Sequence, residues 1–164
     1  MTRCYLGLGA NLNDPVRQLE LAFESLRAIN GFRLLRVSAL YGSKPLGPQD
    51  QPDYVNIAVA AETSLAPLAL LDETQRIERE QGRIKLRHWG ERCIDIDLLL
   101  FGDTEFHSER LTVPHKELCN RSFVVTPLLE IAPELTLPDG TRLKEVSPAF
   151  GGELHRLGAL SVDL

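Results

Sequence analysis

A pair of aspartates inside an apolar run constrains this chain more than any other feature of its sequence. Asp95 and Asp97 stand two positions apart in residues 94–101, which otherwise have the composition of a buried strand. Because strand side chains alternate between faces, both carboxylates lie on one face, roughly 6.6 Å apart along the backbone. Burying two like charges is costly, so this face must meet water, cationic side chains or metal ions. The other face then carries Ile94, Ile96, Leu98 and Leu100.

Length and composition indicate one soluble domain. The chain has 164 residues, of which 43% are hydrophobic and 25% charged, as in ordinary globular proteins. No apolar run approaches the ~18 residues that a membrane span needs, and no secretory signal is visible at the N-terminus. The net charge of -5 disfavours nonspecific binding to nucleic acid. We therefore expect neither a membrane nor a nucleic-acid partner.

Cysteine usage indicates the compartment. Cys4, Cys93 and Cys119 are an odd set without paired spacing, which argues against a disulfide framework and a structural zinc site. We expect a cytoplasmic protein, and a monomer because no feature of the sequence requires an oligomer. The single domain is predicted over residues 1–150, and no element is assigned to the tail, residues 151–164.

Apolar periodicity alternates along the chain between the patterns of strands and helices. Asn13 or Asp14 can cap a helix with Pro15 at its first position, and Pro67 begins a second helix. The order strand-helix-strand-strand-helix-strand predicts a ferredoxin-like α+β sandwich with both helices on one face of the sheet. The strands are predicted at residues 3–9, 32–41, 54–63 and around Asp95, with Gly31 and Gly82 ending the helices.

Further elements and two long connections complete the predicted layout. We expect extra C-terminal strands and helices: a short strand near residues 104–107, a helix near 121–131, and a turn at 138–140. Residues 42–53 and 82–93 are too long and too polar for simple turns. Loops of this length in a compact domain are often functional lids.

A basic cluster precedes the aspartate pair. Taken alone, such a cluster is more often a solvated helix end with ion-pair partners, and interleaved glutamates partly offset its charge. It runs directly into the carboxylates, however, and cations beside a carboxylate-metal site suit a polyphosphate. Its members within 17 residues are Arg76, Arg79, Arg83, Lys85, Arg87 and Arg92.

The glycines that follow the first strand do not predict a dinucleotide site. Gly7 and Gly9 stand between a strand and a helix, but the third glycine of the dinucleotide fingerprint is missing. We interpret them as turn geometry with helix capping. Since no phosphate loop is present either, an ATP site must use side chains.

Polar and aromatic residues elsewhere are candidate contacts. Tyr54 and Asn56 share a strand face, and the Asn amide can donate and accept at once, as an amide-like heterocycle requires. A buried Asn satisfied by backbone is an equal alternative, and a lone His is more often a helix cap or exposed. A second set of phosphate and ring contacts can come from Arg110, His115, Arg121 and Phe123.

The motifs together resemble one enzyme family. From about residue 2 to residue 150 the chain resembles the 6-hydroxymethyl-7,8-dihydropterin pyrophosphokinases of folate biosynthesis, in segments whose order and spacing match. The matching segments are residues 45–56, 75–83, 89–99, 110–115, 120–123 and 127–133.

The resemblance implies the reaction. The β,γ-pyrophosphoryl group of ATP is transferred to the hydroxymethyl oxygen of the pterin, and AMP is released. Asp95 and Asp97 are implied to hold two Mg²⁺ ions, which clamp the incoming and leaving oxygens. Arg83 and Arg92 are implied to meet the charge of the transferred group, which makes these four the expected catalytic residues.

The resemblance also implies two binding regions. The expected ATP contacts are Gln75, Glu78, Lys85, Arg87, Leu98, Arg110, Thr112, His115 and Arg121, where Lys85 or Arg87 supplies an additional phosphate contact. The expected pterin contacts are Ser43, Leu46, Tyr54, Asn56, Trp89 and Phe123.

Two other function classes suit the same layout. A ferredoxin-like module that senses a small ligand or metal would explain the fold and the aspartate pair, but not the converging basic segment, Trp89 and proline-rich loop. An RNA-binding domain would suit the topology. It would not suit the acidic net charge or the lack of paired aromatic residues on the strands.

Overall fold

A computed structural model describes residues 1–12, 14–43, 53–82, 94–148 and 154–164. The main sheet contains six strands, and a separate two-stranded sheet is formed by two short strands, which lie in the chain between the last two strands of the main sheet. The strands are β1 (Thr2–Ala10), β2 (Phe32–Val37), β3 (Ala39–Ser43), β4 (Tyr54–Thr63), β5 (Asp95–Phe101), β6 (Phe106–His107), β7 (Thr112–Val113) and β8 (His155–Ala159). The helices are α1 (Pro15–Arg27), α2 (Pro67–Glu80) and α3 (Ser122–Ile131), and short 3₁₀ turns occupy Leu118–Asn120 and Leu143–Glu145.

The sheet has the predicted ferredoxin-like topology. Its strands are antiparallel in the order β5-β1-β4-β3-β8, and β2 pairs with β4 beside β3. With β2 and β3 taken as the second strand of the motif, the order of the four motif strands is four-one-three-two. The central strand β4 is buried from Asn56 to Ala61, which indicates that both faces of the sheet are covered.

Helices α1 and α2 cover one face. Asp14 accepts a hydrogen bond from the Arg17 N–H at 3.5 Å, and Pro15 takes the first helical position, as predicted. The buried residues of α1 follow the helical period, and they pack with α2 onto the sheet. These α1 residues are Leu19, Ala22, Phe23 and Leu26.

Helix α3 covers the other face, and its position agrees with the helix predicted near residues 121–131. Val125, Leu128 and Ile131 pack against Ala58 and Ala60 of β4 in a second apolar cluster. Among the described residues, no helix is both long and apolar enough to span a membrane.

The predicted strand at residues 32–41 is two strands, because Ser38 interrupts the pairing with β4. The Ser38 N–H donates to the Ala58 carbonyl at 2.9 Å, and the Ala58 N–H donates to Ser38 Oγ rather than to a backbone carbonyl, also at 2.9 Å. A hydroxyl oxygen therefore takes one place in the ladder. The residues that follow form β3, which continues to Ser43.

The predicted alternation along β5 is wrong at Leu100. The pairing of β5 with β1 shifts between Tyr5 and Leu6, so that Leu99 is an extra residue opposite no partner. Such a bulge turns the side chains that follow it to the opposite face. Leu100 therefore packs with Leu99 on the α3 side, whereas Ile96 and Leu98 pack on the side of α1 and α2.

Two other parts of the sheet differ from the sequence interpretation. Gly7 and Gly9 lie inside β1 rather than in a turn, so the turn-geometry interpretation is wrong. The C-terminal residues, to which no element was assigned, contain β8, which pairs with β3. Its pattern gave no signal, because four of its five residues are exposed.

Candidate functional site

The two aspartates share the sheet face covered by α3. Asp95 pairs with Gly9 and Asp97 with Gly7, and both carboxylates are half-buried while the residues between and after them are buried. A Cβ on Gly7 would point at Leu99 of the α3-side cluster, which identifies the face. Because their cross-strand partners are glycines, the aspartates have no side chain opposite them on β1.

The amide of Asn56 lies across Gly9. Asn56 is 6% exposed, and its Nδ2 donates to Ser43 Oγ at 2.9 Å. A Cβ added to Gly9 would stand 2.7 Å from Asn56 Oδ1 and 3.8 Å from a ring carbon of Tyr54. Three predicted pterin contacts, Ser43, Tyr54 and Asn56, are therefore neighbours beside the glycine that pairs with Asp95.

A carboxylate from α2 reaches the outer edge of β5. Glu78 is buried, and its Oε2 accepts the Ile96 N–H at 2.9 Å. Since alternate residues of a strand direct their N–H and C=O groups to the same edge, the Leu98 backbone faces this edge too. The Leu98 side chain is in the core, so the predicted nucleotide contact of Leu98 can be made only by its backbone.

The predicted nucleotide residues Gln75 and Arg110 are in contact. Arg110 Nη2 donates to Gln75 Oε1 at 3.0 Å and to Asp72 Oδ1 at 2.6 Å, so α2 holds the guanidinium by two side chains. Thr112, in β7, is half-buried near the same segment. Asp72 is an addition that sequence reasoning missed, because an exposed acid on a helix gives no signal of its own.

His115 lies beside Asp97 at the end of β7. The backbone N–H of His115 donates to the Leu99 carbonyl at 2.9 Å, and its ring Nδ1 accepts the backbone N–H of Glu117 at 3.1 Å. Burial lowers the pKa of His115, and the nearby Asp97 carboxylate only partly opposes this. A neutral imidazole whose Nδ1 accepts carries its proton on Nε2, so His115 can offer a hydrogen-bond donor to a ligand oxygen.

Arg121 and Phe123 stand at the start of α3. The Arg121 guanidinium lies over the Phe123 ring, 5.7 Å from its centroid, which is within the range of a cation-π contact. Arg121 also contributes electrostatically to the lowered pKa of His115. The structure thus brings Asp97, His115 and Arg121 together at one end of the site.

Six of the predicted site residues lie outside the described part of the chain. Two described positions flank the longer segment: Gly82 follows α2, and Ile94 precedes Asp95. The six residues are Leu46, Arg83, Lys85, Arg87, Trp89 and Arg92.

The aspartate pair fits a magnesium site completed by a ligand. In the described ranges no three or more His, Cys, Asp or Glu side chains group as metal ligands. Mg²⁺ usually keeps several waters and takes one or two carboxylates together with substrate phosphates. Two half-buried carboxylates, with no third His, Cys, Asp or Glu grouped with them in the part of the chain that the structure describes, match that chemistry better than a closed structural site.

Comparison with known proteins decides the family. The sequence model described as 7,8-dihydro-6-hydroxymethylpterin-pyrophosphokinase (HPPK) matches residues 5–133. The chain belongs to the HPPK family. This confirms the family that the motifs resembled and the predicted enzyme class, a transferase of the pyrophosphokinase type.

Several relatives are similar over nearly their whole length. The chain is 51% identical to the 2-amino-4-hydroxy-6-hydroxymethyldihydropteridine pyrophosphokinase of Haemophilus influenzae, over 92% of this chain and 94% of that protein. It is 48% identical to the protein of the same name from Pseudomonas aeruginosa, over 90% and 91% of the two chains. These names support the HPPK family function, that of a pyrophosphokinase in folate biosynthesis.

A solved structure shows the same fold. The Plasmodium falciparum HPPK-DHPS wild-type structure with SDX-DHP matches 88% of this chain with a TM-score of 0.66 and 16% identity. The match covers 42% of that longer chain. At this identity the likeness concerns the fold alone, and it agrees with the predicted ferredoxin-like sandwich.

Proposed function

We propose that this enzyme transfers the β,γ-pyrophosphoryl group of ATP to the hydroxymethyl oxygen of 6-hydroxymethyl-7,8-dihydropterin and depends on Mg²⁺. The hydroxyl oxygen attacks the β-phosphorus, the bond from that phosphorus to the bridging oxygen of the α-phosphate breaks, and AMP leaves. The hydroxyl proton passes to solvent. The products are the pterin pyrophosphate and AMP.

The aspartate pair carries this proposal. Asp95 and Asp97 are half-buried on one face, opposite glycines, and they are the described groups suited to hold two Mg²⁺ ions. Bound Mg²⁺ would neutralise phosphate charge and lower the pKa of the attacking hydroxyl. The two carboxylates would orient the triphosphate by fixing where the cations lie.

The nucleotide is proposed to occupy the outer edge of β5. Glu78 from α2 reaches this edge, and Gln75, about one turn earlier on α2, contacts Arg110. His115 and Arg121 stand beside Asp97, where an Nε2–H and a guanidinium can donate to phosphate oxygens. The Leu98 backbone and Thr112 are proposed to contact the base or ribose.

The pterin is proposed to lie beside Gly9. The Asn56 amide, which Ser43 orients, would read the polar edge of the heterocycle, and Tyr54 and Phe123 would contact its flat rings. This arrangement brings the hydroxymethyl group toward Asp95, because Asn56 and Asp95 are both cross-strand partners of Gly9.

The residues outside the described ranges complete the proposal as predictions from the sequence. Arg83 and Arg92 are proposed to meet the charge of the transferred group, and Lys85 or Arg87 another phosphate oxygen. Leu46 and Trp89 are proposed to close the pterin pocket. A cytoplasmic location and a monomeric state also stay predictions.

The test compares matched aspartate variants. We expect Asp95→Asn and Asp97→Asn each to lower kcat/KM by about 100-fold or more, since each removes a charged metal ligand. Asp103→Asn, in the exposed turn after β5, is the control and should stay near wild type. The measurement is AMP formation from Mg²⁺ and ATP, with and without the pterin alcohol.

Three outcomes would overturn the proposal. One is activity within a few-fold of wild type in both aspartate variants. The second is AMP release that does not depend on the pterin. The third is binding of ATP and pterin by the wild-type protein without any AMP, which is the behaviour of a ligand-sensing module.

A further inference from the structure

One row of residues crosses the sheet from the proposed metal site to the far edge. The register pairs Asp95 with Gly9, Gly9 with Asn56, Asn56 with Tyr41, and Tyr41 with Arg156. Directly paired residues of antiparallel strands place their side chains on the same face. Tyr41 is therefore the immediate neighbour of Asn56 on the side away from Asp95.

The carboxylate of Glu130 fastens this part of β3 to α3. Its two oxygens accept the Ala39 N–H at 3.2 and 3.0 Å, and Oε1 also accepts the hydroxyl of Tyr41. Arg36 reinforces the same junction, because its Nη1 donates to the Ile131 carbonyl at 3.1 Å. The C-terminal end of α3 is thus held by β3 and by Arg36 of β2.

The two ends of α3 have different tasks. Phe123, a proposed ring contact of the pterin, stands at its first turn, and Glu130 stands two turns further on. The span is about 10 Å for seven residues, although Pro127 within it has no N–H for the Phe123 carbonyl. Val125 and Leu128 hold this part of the helix against β4. Fixing Glu130 on β3 therefore also fixes where Phe123 stands relative to the sheet.

The same contacts constrain Ser43. Strand β3 runs from Ala39, which Glu130 binds, to Ser43, whose hydroxyl accepts the Asn56 amide. Movement of β3 away from α3 would carry Ser43 with it and would release Asn56. Burial and the Glu130 carboxylate raise the pKa of Tyr41, which agrees with the donation of its hydroxyl to Glu130.

We propose that Glu130 is a positioning residue for the pterin: it clamps β3 to α3 and so fixes the distance between Asn56 and Phe123. This inference rests on the proposed pterin site. Its hydrogen bonds with described residues go to Ala39 and Tyr41, so Glu130 acts through β3 and the helix. The sequence placed it in a matching segment but gave it no role.

The clamp predicts different effects on the KM values of the two substrates. Glu130→Gln keeps the shape of the side chain but weakens its acceptance from two donors, so KM for the pterin should rise about tenfold. KM for ATP should change less, within about twofold, because Gln75, Glu78 and Arg110 are independent of the clamp. Of the proposed nucleotide contacts in the described residues, Arg121 alone stands at the start of α3. Tyr41→Phe, which removes one donor and keeps the ring, should raise the pterin KM less.

Matched variants separate this clamp from general stability. Glu134→Gln removes the exposed partner of Lys144 near the same helix end and should leave both KM values unchanged. The double variant Tyr41→Phe with Glu130→Gln should raise the pterin KM no more than Glu130→Gln alone, since both substitutions act on the same hydrogen bond between Tyr41 and Glu130. Additive effects would contradict the clamp.

The assay is steady-state AMP formation with each substrate varied in turn. A pterin KM within twofold of wild type in Glu130→Gln, or equal rises for both substrates, overturns the proposal. Asn56→Ala distinguishes failure of the clamp from failure of the proposed pterin site. If it raises the pterin KM alone while Glu130→Gln does nothing, only the clamp is wrong. If Asn56→Ala does not discriminate, the proposed pterin site fails and the clamp fails with it.

Discussion

A single methyl group on Gly9 tests the geometry of the site. In the Gly9→Ala variant the new Cβ would stand 2.7 Å from Asn56 Oδ1 and 3.7 Å from its Cγ. Real side chains do not tolerate the first of these distances, so the amide oxygen must retreat to at least 3.0 Å. Asn56 is 6% exposed and bonded to Ser43, so it cannot move without weakening that hydrogen bond.

The expected cost follows from these contacts. Overpacking a well-packed site costs about 1–3 kcal/mol, and an alanine regains about 0.4–1 kcal/mol because its unfolded chain is less flexible than that of glycine. We expect a net loss of about 1–2 kcal/mol in the free energy of unfolding, or roughly 2–4 °C in Tm for each kcal/mol. KM for the pterin should rise about tenfold as Asn56 shifts, whereas KM for ATP should hardly change.

Gly7→Ala is the matched control, two residues earlier in the same strand and on the same face. Its Cβ would meet only the end of the flexible Leu99 side chain, at 3.3 Å, so we expect a stability change below about 1 kcal/mol and little effect on the pterin. Urea unfolding and steady-state kinetics measure both variants. Equal changes of stability and pterin KM in the two variants would refute the reasoning. Equal rises of KM for the pterin and for ATP in Gly9→Ala would refute it too.

Two further predictions concern stability and charge. Burial raises the pKa of Cys4 from 9.0 to about 12, so as pH rises the thiol ionises in the unfolded chain before it ionises in the folded protein. The free energy of unfolding should therefore fall by about 1.4 kcal/mol between pH 8 and pH 10. In Cys4→Ala, urea unfolding should show that the free energy of unfolding falls by about 1.4 kcal/mol less over this pH range than in the wild type. An equal fall in both proteins would contradict the prediction. Asp72→Asn should lower KM for ATP two- to threefold, an effect that shrinks in high salt, because Gln75 still holds Arg110 while the competing carboxylate is gone. A higher KM for ATP would show that Asp72 is needed to orient Arg110, and unchanged stability is expected in either case.

Local patterns in the sequence predicted the elements that depend on neighbouring residues. The strand at residues 54–63 and the start of α1 at Pro15 agree with the structure. The shared face of Asp95 and Asp97 follows from strand alternation over three residues, before the bulge begins. The order of these elements was enough to predict the ferredoxin-like topology.

Errors occurred where a distant residue changes the local geometry. Ser38 divides one predicted strand in two because its hydroxyl accepts from Ala58, which is 20 residues away. Leu100 changes face because the pairing of β5 with β1 contains a bulge. The residues next to Ser38 and Leu100 do not indicate either feature, so the spacing of apolar residues in the sequence could not predict it.

By itself, the sequence determined the class of fold and the family, and it singled out the two carboxylates that we propose bind magnesium, because these depend on composition, periodicity and short motifs. Only the tertiary structure decided how the candidate site is supported. It showed that Gly9 makes room for Asn56 and that Glu130 clamps β3 to α3. These contacts join residues 47 and 91 positions apart, and chain spacing carries no information about such distances until the sheet register and helix packing are fixed.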